Sequence, residues 1–267
     1  MSEDLSVALT QALDRFRGRI GATRDMVAVG LPRCEYPLDI REALPDVSVQ
    51  FKTQHTEFDP HLAARNFPSW LLGHAFNDIV ESVHTFLDDI NEIMAAVFEA
   101  AAIPVPNPVP SHKFQLLGLS DKAAAVQRTY SLDLGPLFFR SVLDMNGVRN
   151  CLTHRQGLVG APDLKRRENV LQLRYHSLQG SVTSDSGERS YAIVLGRPVR
   201  MWKRDDRIQL SSEDFTNIVY TAFLFGLRTV RAGLTCAWNT GLITTKPPPM
   251  TDPLVSFGSY PGPTGDD

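Results

Sequence analysis

The segment Arg149-Asn150-Cys151-Leu152-Thr153-His154 places a guanidinium and an imidazole within six residues of chain. Arginine is always charged and grips a phosphate through parallel N–H donors. Histidine titrates near neutral pH and can pass protons. The two groups suffice, without a metal, to cut an RNA phosphodiester. His154 would take the ribose 2′-hydroxyl proton or protonate the leaving oxygen, and Arg149 would hold the phosphate and stabilise the charge developing on it. Asn150 would orient the imidazole or bind a phosphate oxygen. The products would be a 2′,3′-cyclic phosphate and a 5′-hydroxyl, and DNA, lacking the 2′-hydroxyl, would resist. In the structural alternative, Arg149 pairs with a carboxylate, either Asp144 or one on the acidic stretch described below. His154 then caps a helix C-terminus, where a cation is favoured.

The spacing alone is one that chance supplies in a chain of this composition; its neighbours make it informative. Leu137-Phe138-Phe139 through Val142-Leu143 lead into it as an apolar helix, and Gly157 and Gly160 follow, so His154 falls near a helix end. At about 100° per residue, five steps turn His154 about 140° away from Arg149, whereas Asn150 and His154 share a face. One helix does not easily aim both groups at one phosphate. A second copy, or unwinding after Thr153, would bring them together.

The elements that must position this segment read as mainly helical. Leu5, Leu9, Leu13, Phe16 and Ile20 predict a helix over 3–21, with Ser2 as its cap. Residues 24–66, with Pro32, Pro37, Pro45 and Pro60, read as an irregular connector with one short strand near 47–51. A long helix is predicted over 69–101, started by Phe67-Pro68-Ser69 and stopped by Pro104, Pro106, Pro108 and Pro110. Two more follow, near 121–133 and 136–155, separated by Gly135-Pro136. The period then changes to strand spacing at 170–175, 190–195 and 207–210, with turns at 184–187 and Gly196. Ser211 and Asp214 form a capping box for a last helix to about Ala237. Residues 245–267, rich in Pro and Gly, read as a disordered tail. The domain reading is therefore an N-terminal helix and connector over 1–66, a bundle of four to five antiparallel helices over 67–244 with a small antiparallel β insertion at 168–210, and the tail.

Charge is distributed unevenly, although the net charge is only −3 and the pI about 6.2. No Lys or Arg stands between Arg65 and Lys113, while Asp78, Glu81, Asp88, Asp89, Glu92 and Glu99 do. This is a solvated acidic face or a docking face for a basic partner. Arg155, Lys165, Arg166 and Arg167, then Arg200, Lys203 and Arg204 with Arg197 and Arg207, form basic runs. Trp202 and Tyr175 interleave with them as candidates for stacking on bases, so the β insertion is a candidate RNA contact. The scattered Cys34, Cys151 and Cys236 suggest free thiols in a reducing, cytoplasmic compartment. No signal peptide and no bilayer-length apolar run is expected. His74 and Asp78, like Asp88 and Glu92, share helix faces, but a metal site needs three or four convergent ligands, so no metal or cofactor is expected. Nucleotide-loop and serine-hydrolase motifs are missing from the sequence.

With Arg149, a polar Asn150 beside it and His154 beyond, on a helix between a long helix and a final one, residues 69–237 resemble the HEPN family. The resemblance implies an all-α bundle that forms a homodimer with the two motifs facing one another. It also implies metal-independent RNA cleavage in many members, with Arg149, Asn150 and His154 as the catalytic set. RNA would be the substrate of a toxin or antiviral effector, with an antitoxin or other regulatory protein as a further partner. The family also includes members that cleave nothing and serve as binding modules for RNA, nucleotide or protein.

Overall fold

The computed structural model describes residues 2–33, 60–106, 108–165, 168–185, 188–196 and 199–247. The six helices among them are α1 (Ser2–Arg33), α2 (Pro60–Ala100), α3 (Ser111–Gln115), α4 (Leu119–Tyr130), α5 (Pro136–Arg155) and α6 (Ser212–Asn239). Four strands, β1 (Leu171–Arg174), β2 (Ser177–Asp185), β3 (Glu188–Gly196) and β4 (Val199–Trp202), lie between α5 and α6. The expectation of a mainly helical chain with a small antiparallel insertion before the last helix is met.

The helix α2 is apolar on several sides, and the others gather round it. Phe76, Ile79, Val80, Val83, Phe86, Leu87, Ile90 and Met94 are all buried. A helix buried on most of its circumference must be surrounded by other elements. α1 runs antiparallel beside it: Phe16 stacks on Phe86 at 4.6 Å, Arg15 meets Asp89, and Gly30 lies against Leu71. α6 closes this side, with Gly226 against Phe16 and Gly233 between Leu9 and Met94. α4 and α5 cover the other side through Lys122–Asp88 and Arg149–Glu81. Leu5, Leu9, Phe16 and Ile20 of α1 belong to the same continuous core as the rest of the bundle.

Helix ends depart from expectation at two places. α1 continues to Arg33 instead of ending near 21, and buried Val27 extends its stripe. α2 starts at Pro60 and runs through Pro68 instead of starting after it. A proline inside a helix forfeits one ladder bond, and packing over a helix this long outweighs that loss. The expected connector shrinks from both sides; the strand expected near 47–51 and the tail from 248 lie outside the described residues.

The strands pair as two antiparallel ribbons, β1 with β4 and β2 with β3. Leu171 faces Trp202 in the first, and Val182 faces Tyr191 in the second. The strand expected at 207–210 is not one. Its Arg207 makes a single bridge to Leu158, and the Ile208 N–H donates to the Gly157 carbonyl. Ile208 and Leu210 are buried there, so the apolar alternation reflects a loop pinned over the end of α5. β2 and β4 lie outside the expected strands; their alternation is weak, and their pairing partners are what make them strands. The Ser211 capping box forms as expected: the Asp214 N–H donates to Ser211 Oγ, and the Ser211 N–H donates to Asp214 Oδ2, each at 3.0 Å.

Candidate functional site

α5 begins where Gly135 adopts φ +73° and Pro136 brings a preset φ to the first turn. A Cβ at Gly135 would lie 2.4 Å from Arg228 Nε, so the position excludes a side chain as well as favouring glycine. Phe138, Val142, Met145, Val148 and Cys151 then form the buried stripe. That phase leaves Arg149 and Asn150 half-buried and Thr153 and His154 exposed. α5 stays regular to Arg155 and closes with Gln156 in the left-handed region and the Gly157 N–H donating to the Cys151 carbonyl. It does not unwind after Thr153.

The Arg149 guanidinium turns toward α2. Its Nη2 meets Glu81 Oε1 at 2.6 Å, Nη1 stands 3.4 Å from Asn150 Oδ1, and Nε is buried without an acceptor. The carboxylate partner foreseen in the structural alternative therefore exists, and it is Glu81 on the acidic helix, not Asp144. His154, in the last turn of α5, makes no hydrogen bond or ion pair among the described residues and is open to solvent. Asn150 and His154 lie one turn apart on a common face, as the spacing predicts. Within one chain, Arg149 is held against α2 while His154 faces outward.

Another imidazole lies nearer to Arg149 in charge terms. His84, half-buried on α2, sits one turn beyond Glu81 and one turn before Asp88. Burial pushes its imidazole below the ordinary histidine range. Lys122 and Arg149 push the same way, against Glu81 and Asp88. His84 thus feels two cations that neighbouring helices deliver, Lys122 from α4 and Arg149 from α5. The signal for it in the sequence is the Glu81-Ser82-Val83-His84 spacing, which sets carboxylate and imidazole on one face.

The acidic run on α2 is largely neutralised from within. Arg149, Lys122 and Arg15, from three different helices, pair with Glu81, Asp88 and Asp89. Gln115 donates to Glu92 at 3.3 Å. The stretch of α2 after Arg65, which has no Lys or Arg, is the anionic hub of the bundle, and within it Asp78 and Glu99 are exposed with no ion pair among the described residues. His74 is also accounted for locally: its Nδ1 lies 2.9 Å from the Trp70 carbonyl and its ring lies 4.1 Å from the Trp70 ring. Among the described residues, no group of three or more potential ligands gathers as a metal site, and no helix is long and apolar enough to cross a membrane.

The expected RNA-contact residues divide by burial. Trp202 is 8% exposed and Tyr175 4%, so neither ring can stack on a base; both are core. Arg155 pairs with Asp163, Lys165 with Asp144 at 2.7 Å, and Arg200 with Asp214 at 2.8 Å. Each of these carboxylates is buried, so the basic run there serves to compensate anions inside the fold. Burial alone would raise the Asp163 carboxyl, but the Arg155 and Gly160 N–H donors outweigh it and hold it below the usual range. Asp214 follows the same balance, with Arg200, Tyr175 and Ser211 as donors. Lys203 and Arg204, with Arg207, remain exposed. Arg166 and Arg167 lie outside the described residues. Cys151 is a buried hydrophobe, as expected, and burial pushes its thiol up to about 11.

Comparison of the chain with family models, with curated proteins and with solved structures gives no match. What this site can do chemically therefore rests on its own residues: an exposed imidazole beside Asn150, and a guanidinium held by one exposed carboxylate.

Proposed function

We propose that the chain is a HEPN-like, metal-independent endoribonuclease that works as a homodimer, with Arg149, Asn150 and His154 of the two copies forming a composite site. The observation that carries this reading is the His154 imidazole: exposed, without an internal partner among the described residues, and one turn from Asn150 on a regular helix. Its divergence from Arg149 calls for a second α5 to complete the set. The 2′-oxygen would attack phosphorus as one His154 takes its proton. The 5′-oxygen would leave protonated by the second copy's His154, with Arg149 on the phosphate oxygens. The Glu81–Arg149 pair is partly exposed, and pairs of that kind contribute about 0.2–1 kcal/mol, so a phosphate can compete for the guanidinium. Lys203 and Arg204 supply further positive charge for RNA. A toxin or antiviral effector restrained by a regulatory protein is the biological setting that suits such chemistry.

One observation favours a second reading, a non-catalytic HEPN-like module that binds RNA, nucleotide or a partner protein. Arg149 already has an internal carboxylate, so it can be a structural residue. Cleavage of mixed-sequence RNA in EDTA separates the two. The wild type is expected to leave 2′,3′-cyclic phosphate ends, and His154→Ala to slow cleavage by about 10²–10⁴-fold. Mixing Arg149→Ala with His154→Ala chains is expected to restore part of the activity through hybrid sites. A wild type inert on varied RNAs, or a His154→Ala chain that cuts equally well, leaves the module reading in its place.

A further inference from the structure

A cavity of about 370 Å³ opens at the far end of α2 from the α5 motif, and Phe98, Ile103, Pro104, Tyr130, Asp133 and Cys236 are among its walls. Roughly 25 Å of helix separates Glu81 from Phe98, so the cavity is distinct from the candidate site above. We propose that it binds a small organic cation with an apolar body, such as a primary amine carrying an aromatic or aliphatic group.

Electrostatics decide the sign of the ligand. Two helices end on lining residues, α4 at Tyr130 with Ser131 as its cap and α6 at Asn239 with Thr240 as its cap, and α2 finishes at Ala100, two residues past the lining Phe98. Each such end carries about half a negative charge. No Lys, Arg or His lines the cavity, and Asp133 is its one acidic lining residue. Asp133 is ion-paired with Arg228, whose guanidinium meets Oδ2 at 2.9 Å from outside the lining, and its Oδ1 accepts from the Gly135 N–H at 2.9 Å. A carboxylate has about four acceptor positions, so two remain for an ammonium group. The Tyr130 carbonyl accepts the Cys236 thiol at 3.0 Å, a weak donor that an ammonium N–H outcompetes.

The walls decide the body of the ligand. Phe98 and Tyr130 pack edge to face at 5.6 Å, and the two prolines at 104 and 106 continue the apolar surface. The Tyr130 hydroxyl is committed to Asn91 on α2, so the residue offers its ring and its carbonyl. Aromatic rings attract a cation and accept an apolar group, whereas an anion would meet carbonyl ends and a carboxylate. The volume lies in the range of small-molecule sites, with the expected mix of apolar walls and a few polar groups.

The test is a titration of the full chain, followed by ¹⁵N-resolved NMR, with phenethylamine hydrochloride, 2-phenylethanol and phenylacetate as charged, neutral and anionic probes. The amine is expected to shift the backbone amides of Ser131, Asn239 and Thr240 and to bind at least about tenfold more tightly than the alcohol; phenylacetate is expected to leave them unmoved. Thr235→Leu, which fills the cavity from α6, is expected to abolish the shifts. Asp133→Asn, at an exposed position, is expected to weaken the amine several-fold and leave the alcohol unchanged, and it decides the matter if Thr235→Leu does not fold. Equal binding of all three probes, amine shifts confined to other residues, or no shifts at millimolar amine overturns the proposal. None of these outcomes depends on ribonuclease activity.

Discussion

Glu81 on α2 and Arg149 on α5 meet at 2.6 Å, and this ion pair ties the acidic helix to the helix that carries the Arg-Asn-Cys-Leu-Thr-His segment. Because both side chains keep solvent contact, the pair is a weak clamp on a chemically valuable group. Glu81→Gln is expected to lower stability by only about 0.2–1 kcal/mol, by urea denaturation, and the loss is expected to shrink at molar salt. RNA affinity of the variant, measured by fluorescence anisotropy, is expected to rise, since the guanidinium is released.

Asp144 gives the opposite case. Its carboxylate, with 1% of the side chain exposed, takes Lys165 at 2.7 Å and Arg174 at 2.8 Å, both of which keep solvent contact. Asp144→Asn removes the buried charge and leaves two cations that can rehydrate, so a loss of about 1–3 kcal/mol is expected. The double change Lys165→Met with Arg174→Met strands the carboxylate and is expected to cost more, about 3–5 kcal/mol. Equal losses in chemical denaturation would show that Asp144 is not the group that needs compensation.

Stability is expected to fall at both ends of the pH range for different reasons. Asp163 and Asp214 are depressed in the folded chain, so their contribution is present above the unfolded carboxylate value of about 3.9 and is lost as pH falls through the folded value. Cys151 is raised, to about 11, so its contribution is present below the unfolded thiol value of about 8.5 and is lost as pH rises toward 11. Denaturation midpoints measured across pH check both limbs. Cys151→Ala is expected to flatten the alkaline limb relative to the wild type, and iodoacetamide at pH 8 is expected to leave Cys151 unlabelled in the folded chain.

Two helix glycines are expected to respond to alanine with opposite signs. A Cβ at Gly226 would lie 2.7 Å from Phe16 Cε1 and 3.2 Å from Leu13 Cδ1, and Phe16 is fully buried against Phe86. Overpacking of that kind costs about 1–3 kcal/mol, which exceeds a helix-propensity gain of about 1 kcal/mol. At Gly18 nothing lies within 4 Å, so the propensity gain stands alone. Thermal denaturation is expected to show Gly226→Ala melting below the wild type and Gly18→Ala above it.

Local pattern was enough to read most helices. Burial at a period of 3.6 predicts α2, α5 and α6, Gly135-Pro136 separates α4 from α5, and Ser211 with Asp214 caps α6, because each signal sits within a few residues of its effect. The tertiary structure decided the rest. Residues 24–33 are helix with Val27 buried and Gly30 against Leu71, residues 60–68 continue α2 through Pro68, and β2 and β4 are strands because they have partners. Within the candidate site, the sequence determined the groups on α5 and the shared face of Asn150 and His154. Arg149 turns to Glu81 and Lys122 to Asp88, both cations act on His84, and Trp202 and Tyr175 are buried. These follow from elements tens of residues apart in the chain. Helical phase is a local property of the backbone, whereas the partner of a charge is chosen by packing that no short window of sequence contains.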